Sequence, residues 1–421
     1  NDRLEVYDTL SGPRLTSVWP SSGTAGTLIT LAGSGFDPVA ANNVVECGNA
    51  QAVVHSVNPD ATGIVVSFGS DLVSGSIVVR RGPLASNSIP FLVTSRATPG
   101  NFAATGTIPP YMRVADMIES PSGRLLIAVQ VDGSFVVRRA DRSQPDFLRE
   151  VQFLSAAQSG LGAGGPMAIT PDGRKLYVLD VGNSAVAVFS VDEQEAVPLA
   201  RVGSVVDAGG PFVLYGTPSG IEVTGDGKRL FFAHGDTYLV EADAERDSVL
   251  AATWVVGAHM NPDMPLAIHP LGNVAYVGIW DWPTCIVKVV DIDPLSPTYR
   301  STSEIWLNTE GDPLDLKVSP DGSRLFCLVG VPALVEVDED YRVFVAGADS
   351  TGPNFQLVYD DFTVAFDEQP HLLLNHSGSE LFVLEGLRDR GLAFDAATFE
   401  SGGFTGPLPG FGGVEGELHR W

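Results

Sequence analysis

Two stretches of the sequence decide the fold: Lys175-Leu-Tyr-Val-Leu-Asp-Val-Gly-Asn-Ser-Ala-Val-Ala-Val-Phe-Ser-Val-Asp192 and Ser319-Pro-Asp-Gly-Ser-Arg-Leu-Phe326. The first holds two apolar, β-branched runs separated by Gly-Asn-Ser, which predicts a pair of antiparallel strands. The second shows how such a unit begins, because Asp-Gly supplies the positive φ that a tight hairpin turn requires. Together they predict short antiparallel strands joined in chain order.

This unit recurs along the chain at intervals of 45 to 56 residues, 51 on average. The turn of each copy falls at Ser122-Gly123, Asp172-Gly173, Asp226-Gly227, Leu271-Gly272, Asp321-Gly322 and Ser377-Gly378. A small antiparallel sheet of this length buries both faces only against its neighbours, as in the blades of a β-propeller. The length that follows residue 100 predicts six blades, with seven as the alternative.

The two quoted stretches resemble YVTN-type β-propeller repeats, and the resemblance covers nearly all of residues 113–400. The copies with Leu271-Gly272 and His376-Ser377-Gly378 depart from the Asp-Gly pattern at the turn. The stretch Tyr341–Glu368 is longer than one outer strand needs, which predicts an insertion or an extra hairpin in that blade.

The first hundred residues contain short β-rich runs separated by Gly, Pro, Ser and Asn, which favour a small sandwich of about seven strands. Their opening reads Leu15-Thr-Ser-Val-Trp-Pro-Ser-Ser-Gly-Thr-Ala-Gly-Thr-Leu-Ile-Thr-Leu-Ala-Gly-Ser-Gly-Phe36. It resembles the start of an IPT/TIG immunoglobulin-like domain, over about residues 13–95. The resemblance implies either a DNA-binding transcription factor or a module of bacterial surface and secreted proteins that acts as a spacer or binding unit.

The net charge separates these two settings. The formal charge is −26 at pH 7 and 44% of the residues are hydrophobic, so the chain is acidic and has enough apolar residues for packed cores. An acidic surface argues against nucleic acid and anionic membranes as partners. The sequence contains no run of 18 apolar residues, so no membrane helix is predicted. If a signal peptide existed, it is expected to have been removed before Asn1.

The predicted organisation has four parts: an N-terminal strand at 1–12, the Ig-like sandwich at 13–95, a linker with a ring-closing strand at 96–112, and the propeller at 113–421. We expect a strand near 102–108 to pair with the third strand of the last blade, with 404–408 as the competing segment. The N-terminal strand is expected to pair with a sheet edge in its own propeller or in a neighbouring copy, and the second case would give self-assembly.

Few residues have the spacing of a catalytic or metal site. Cys47, Cys285 and Cys327 are too far apart in sequence for a CxxC zinc site, and the last two are expected to be buried, inert thiols. The segment 160–165 matches GxGxxG but precedes a strand, so it lacks the helix N-terminus that a dinucleotide requires. No cofactor is expected, and Ca²⁺ held by scattered acidic residues is left open.

The candidate ligand site is the mouth of the propeller channel. Counting back from each turn places Asp116, Gly220, Asp315 and His371 where an inner strand begins, and Glu222 and Lys317 two residues further along. The predicted ligand-binding residues are Asp116, Glu222, Asp315, Lys317 and His371. We expect Lys317 to pair with an acid such as Glu222, because an isolated ammonium in a narrow channel would lose its hydration. The alternative is that these residues only line or plug the ring.

These features favour a non-catalytic bacterial protein, extracellular or at the cell surface, that binds or scaffolds through its propeller. Its partner is expected to be a protein or a glycan. The alternative is a propeller enzyme of the lactonase, lyase or quinoprotein kind, with its site at the channel mouth.

Overall fold

The computed structural model describes residues 12–93, 114–141, 146–207, 210–211, 220–234, 238–255, 264–281, 284–331, 340–350, 352, 355–365, 370–374, 380–385, 390–395 and 418–419. The chain forms two compact units that divide between Thr94 and Ser95. The predicted strand at 1–12 lies outside the described residues except for Gly12, and the predicted ring-closing segment 102–108 lies outside them entirely. No helix among the described residues is long and apolar enough to cross a membrane.

The first unit is an Ig-like β-sandwich, as predicted. Its strands are β1 (Arg14–Trp19), β2 (Ser22–Gly23), β3 (Ile29–Ser34), β4 (Asn43–Cys47), β5 (Ala50–Val57), β6 (Gly63–Phe68), β7 (Gly75–Arg81), β8 (Leu84–Ala85) and β9 (Ile89–Val93), with a 3-10 turn at Ala40–Asn42. One layer has the order β1-β3-β6-β5, and the tight β4–β5 hairpin leads into the second layer, β4-β7-β9. Alternate side chains such as Ile29, Leu31 and Val79 are fully buried in one core between the layers.

The second unit is a β-propeller, and its described residues form six sheets. Blade 1 contains β10 (Val114–Glu119), β11 (Leu125–Gln130), β12 (Phe135–Arg139) and β13 (Glu150–Leu154), followed by α1 (Ala156–Ser159). Blade 2 contains β14 (Met167–Ile169), β15 (Lys175–Asp180), a 3-10 turn (Val181–Asn183), β16 (Ala185–Val191) and β17 (Leu199–Ser204). The edge hairpin β18 (Val206–Asp207) and β19 (Gly210–Pro211) extends blade 3, which contains β20 (Ile221–Val223), β21 (Arg229–His234), β22 (Tyr238–Asp243) and β23 (Ser248–Trp254).

The remaining blades follow the same antiparallel order. Blade 4 contains β24 (Leu266–Ile268), β25 (Val274–Asp281), β26 (Thr284–Asp291) and β27 (Thr302–Trp306). Blade 5 contains β28 (Asp312–Val318), β29 (Arg324–Val331), β30 (Asp340–Gly347) and β31 (Val358–Ala365). Blade 6 contains β32 (Pro370–Leu374), β33 (Glu380–Glu385) and β34 (Arg390–Asp395), and β35 (Leu418–His419) lies near the end of the chain. The stretch interpreted as an insertion, 341–368, instead supplies most of the third strand and the outer strand of blade 5, each eight residues long.

A repeated local device forms the turn between the first two strands of a blade. In blade 2 the Thr170 hydroxyl donates to Asp172 and accepts from the Lys175 amide, while Asp172 also accepts from the Arg174 amide. Gly173, at φ 70°, adopts the left-handed conformation that the turn needs. The same bonds recur at Thr224 with Asp226 and at Ser319 with Asp321. The Ser/Thr-x-Asp-Gly pattern is therefore held by hydrogen bonds within the turn itself and needs no contact with another blade.

The strand period then determines which side chains reach which neighbour. In β15, Leu176 and Val178 enter the core shared with blade 1, whereas Tyr177 and Leu179 enter the core shared with blade 3. Both faces of the sheet are buried, which explains the nearly continuous apolar strands.

The inner strands contact one another in chain order, β10 to β14, β20, β24, β28 and β32. The ring closes through β35, which contacts β32 and pairs in parallel with β10, with Met117 opposite Leu418. This pairing was not predicted from the sequence. The predicted partners of the β34 outer edge, 102–108 and 404–408, lie outside the described residues, so that pairing stays a prediction.

Candidate functional site

Strand register gives the inner strand of each blade one equivalent position, opposite an equivalent residue of the second strand, at the level predicted for the channel mouth. These channel-mouth positions are Asp116, Pro166, Gly220, Pro265, Asp315 and His371. Two residues further along lies a second set, here called the channel ring, formed by Ile118, Ala168, Glu222, Ala267, Lys317 and Leu373. The predicted site residues therefore occupy two structurally equivalent levels of the inner strands.

Asp116 is fully buried (0% exposed), and both of its carboxylate oxygens accept backbone hydrogen bonds. One oxygen accepts from the amide of Met117 and the other from the amide of Met167, each at 2.6 Å. Met167 begins the inner strand of blade 2. The Asp116 carboxylate is thus a clamp that joins blade 1 to the backbone of the next blade.

Asp315 repeats this arrangement four blades later. It is 1% exposed, and one oxygen accepts from the Leu372 amide at 2.8 Å, which joins blade 5 to the inner strand of blade 6. The other oxygen pairs with the Lys317 ammonium at 2.9 Å. Met167 and Leu372 hold the same register position in their blades, so the two acids perform the same structural task. Charge-assisted bonds of this kind are stronger than neutral ones.

The channel ring is mostly apolar. Ile118, Ala168, Ala267 and Leu373 are buried, whereas Glu222 and Lys317 are half-buried. The ion pair that the structure gives for Lys317 joins it to Asp315 on its own strand, and its predicted pairing with Glu222 stays a prediction. Asp315, Lys317 and the backbone next to His371 therefore come together, while Glu222 lies on another blade of the ring.

A second group of contacts between blades was not predicted from the sequence. The Tyr177 hydroxyl bonds to the Ala244 carbonyl and to Asp247, each at 2.7 Å, and Lys175 binds the same two residues of blade 3. The register-equivalent Tyr276 bonds to the Ala348 carbonyl of blade 5 at 2.8 Å. Burial and the nearby acidic side chains raise the pKa of Tyr177, so its hydroxyl stays a donor. Most of these acceptors are backbone carbonyl groups, which every residue carries, so the sequence does not show which of them will accept a hydrogen bond.

His269 links blade 4 to the turn of blade 5. Its Nδ1 accepts from the Leu271 amide at 3.1 Å, so the proton is on Nε2, which donates to the Gly322 carbonyl at 2.9 Å. Burial lowers the pKa of this imidazole below its usual value, so the ring is neutral in the folded protein.

This depressed pKa predicts a loss of stability in mild acid. Below about pH 6.5 the unfolded chain binds a proton at His269 that the folded chain does not bind, so the free energy of unfolding falls as the pH falls from there toward the folded-state pKa. Urea denaturation at about pH 7.5 and about pH 5.5 is expected to show a larger loss for the natural protein than for His269→Gln. Equal losses in the two proteins would contradict the assignment.

Among the described residues, no group of three or more His, Cys, Asp or Glu side chains is placed to hold a metal ion. Ca²⁺ binding stays an expectation.

Two exposed tryptophans on the outer strands form a feature that sequence reasoning missed. Trp254 ends β23 opposite Tyr238, and Trp306 ends β27 opposite Ile286, which is the register equivalent of Tyr238. Trp254 is 60% exposed and Trp306 is 51% exposed. Both lie on the sheet face that looks toward the preceding blade, and both are at the end of the strand nearest the channel-mouth level. The sequence feature that could have revealed this pair is a tryptophan at the last position of two consecutive outer strands.

The fold and these contacts define a class: an all-β protein with an Ig-like sandwich followed by a propeller whose channel-mouth acids clamp neighbouring blades. Residues 13–95 match the family model of the IPT/TIG domain, so this segment is an IPT/TIG domain. No curated protein matches the sequence.

The chain resembles many solved structures, among them the following two. Hydrazine synthase of Kuenenia stuttgartiensis is 18% identical over 70% of this chain and 80% of that chain, with a TM-score of 0.50. A protein of unknown function from Bacteroides thetaiotaomicron is 14% identical over 90% of this chain and 96% of that chain, with a TM-score of 0.42. At such identities the first likeness concerns the fold alone.

Proposed function

We propose that this is a non-catalytic binding or structural protein of the bacterial cell surface or exterior, an adhesion, scaffold or assembly subunit that uses its propeller as an interaction platform. The IPT/TIG domain supports a binding or structural role, and the resemblance of the second unit to YVTN-type repeats supports the same setting. The observation that carries the proposal is the pair Trp254 and Trp306, exposed at equivalent positions of adjacent blades.

Exposed tryptophan is costly to leave in water and is enriched at the energetic centres of binding surfaces. Here two of them lie at the same height on blades 3 and 4, and Trp254 has the exposed ring of Tyr238 beside it. Flat aromatic faces suit either an apolar side chain of a protein or the apolar face of a sugar ring. The partner is therefore a protein or a glycan, and the acidic chain disfavours nucleic acid. The proposal includes no cofactor and no membrane insertion. It keeps self-assembly through the N-terminal strand as one form of partner.

The alternative of an enzyme at the channel mouth is less well supported. General acid–base or metal chemistry would need the acids there to face a substrate, whereas both oxygens of Asp116 and of Asp315 already accept hydrogen bonds within the propeller. Their chemistry is that of structural clamps.

Replacing both tryptophans is expected to abolish binding without unfolding the protein. Loss of one central aromatic anchor weakens an interface by about 2 kcal/mol or more, roughly 30-fold, so Trp254→Ala/Trp306→Ala should lose at least that factor. The probes are a glycan array and cell-envelope material of the producing bacterium, measured with the full chain. The thermal midpoint should hardly change, because exposed substitutions cost little.

Phe153→Ala is the matched control, since Phe153 is an equally exposed aromatic residue (52%) on the outer strand of blade 1 at a different register position. It should bind like the natural protein. Equal binding by all three proteins would refute the role of the tryptophans, and the absence of binding to any probe would refute the proposed function.

A further inference from the structure

Two of the three cysteines meet in the core between blades 4 and 5, although they are 42 residues apart in sequence. Cys285 lies on β26 and shares a sheet face with Val287 and Val289, because alternate residues of a strand point the same way. Cys327 lies on β29 and shares a face with Leu325 and Val329. These two faces look at each other across one hydrophobic core.

The two thiols are neighbours in this core. Cys285 adds to the effect of burial in raising the pKa of the Cys327 thiol, and both residues are buried. Neither is in a disulfide. The third cysteine, Cys47, belongs to the core of the first unit and lies against the Val73 carbonyl at 3.6 Å. The fold therefore selects one pair of cysteines and leaves the third by itself.

We propose that Cys285 and Cys327 form a disulfide that joins blades 4 and 5 when the chain folds in the presence of a small-molecule disulfide such as oxidised glutathione. The thiolate of one cysteine attacks a sulfur of the glutathione disulfide and releases one glutathione thiolate. The thiolate of the other cysteine then attacks the protein sulfur of this mixed disulfide and releases the second glutathione. The two protein thiols lose two electrons and two protons, and the oxidant gains them as two glutathione thiols.

The reaction belongs to folding and not to the finished structure. Burial raises the pKa of the Cys327 thiol well above its usual value, so the thiolate that exchange requires is scarce once the blades have packed. During folding both side chains are still open to the oxidant. Packing of β26 and β29 against one core then holds the two sulfurs together, so the cross-link reports the native pairing of the blades. This inference does not depend on the proposed function.

The test is refolding of the full chain from denaturant with oxidised and reduced glutathione, followed by thiol counting under denaturing conditions. We expect one free thiol per chain instead of three, an intact mass lower by two hydrogen atoms, and a peptide that links Cys285 to Cys327. The thermal midpoint of the second unit is expected to rise by about 3–6 °C relative to the reduced protein.

Single alanine variants make the result specific. Cys47→Ala should still form the cross-link and show no free thiol, whereas Cys285→Ala and Cys327→Ala should each keep two free thiols and the midpoint of the reduced protein. If the correctly folded natural chain retains three free thiols, or if its disulfide contains Cys47, the proposal is wrong. The same preparation, treated with a reductant before folding, supplies the reduced reference.

Discussion

Replacing Asp315 with alanine is expected to lower the free energy of unfolding of the propeller by about 3–5 kcal/mol. The change removes the acceptor for the Leu372 amide of blade 6 and the partner of the Lys317 ammonium. The amide and the ammonium would both be left largely buried without the carboxylate. Removing the carboxylate partner of a largely buried charge costs more than breaking a surface ion pair. Urea denaturation would measure the effect, with separate transitions assigned to the two units.

Three further variants separate charge from shape. Asp315→Asn keeps an acceptor for the Leu372 amide but removes the negative charge, so it should cost less than Asp315→Ala. Adding Lys317→Met to Asp315→Ala removes the ammonium that has lost its Asp315 carboxylate and should restore part of the loss. Asp361→Ala breaks an exposed ion pair with Arg342 and should cost less than about 1 kcal/mol. If Asp315→Ala costs no more than Asp361→Ala, the clamp contributes nothing to stability.

Phe189→Ala is expected to be as damaging, with a loss of about 3–5 kcal/mol. Phe189 is fully buried in the core between blades 1 and 2 and meets Phe135 with ring centroids 5.0 Å apart and planes tilted by 59°. Truncation removes apolar contacts and leaves a cavity that a close-packed interface fills only in part.

The tilted pair adds a term that a double-mutant cycle can isolate. Phe135→Ala/Phe189→Ala should cost less than the sum of the two single losses, by about 0.5–1.5 kcal/mol. Phe153→Ala, at an exposed position of the same blade as Phe135, should change stability by less than about 0.5 kcal/mol. Similar costs for Phe153→Ala and Phe189→Ala would show that the core between these blades is not tightly packed.

Much of the fold follows from local patterns. The Ser/Thr-x-Asp-Gly turns and the apolar runs after them predicted a propeller, and six sheets form from the described residues. The IPT/TIG resemblance predicted the sandwich at residues 13–95, which the family comparison confirms. Counting from the turn glycines also placed Asp116, Asp315 and His371 at one level, because register within a hairpin depends on turn geometry alone.

The structural role of those residues could not be predicted in the same way. Asp116 and Asp315 were predicted as ligand-binding residues because propellers commonly place ligands at the channel mouth, whereas the structure buries both against the backbone of the next blade. On the other blade, the donor to each carboxylate is a backbone amide about 50 residues away in sequence. Every residue type except proline carries such an amide. A sequence contains no record of which amide will face a given carboxylate.

The sequence by itself determined the architecture of this protein: two all-β units, the blade repeat, its turns and the level at which each inner strand begins. Those features depend on contacts within about twenty residues, where spacing and side-chain period are visible. Tertiary structure alone decided that two acids clamp neighbouring blades, that Cys285 and Cys327 share one core, and that Trp254 and Trp306 occupy equivalent exposed positions. These depend on how one blade is placed against the next, which is set by the packing of whole sheet faces and by no single residue.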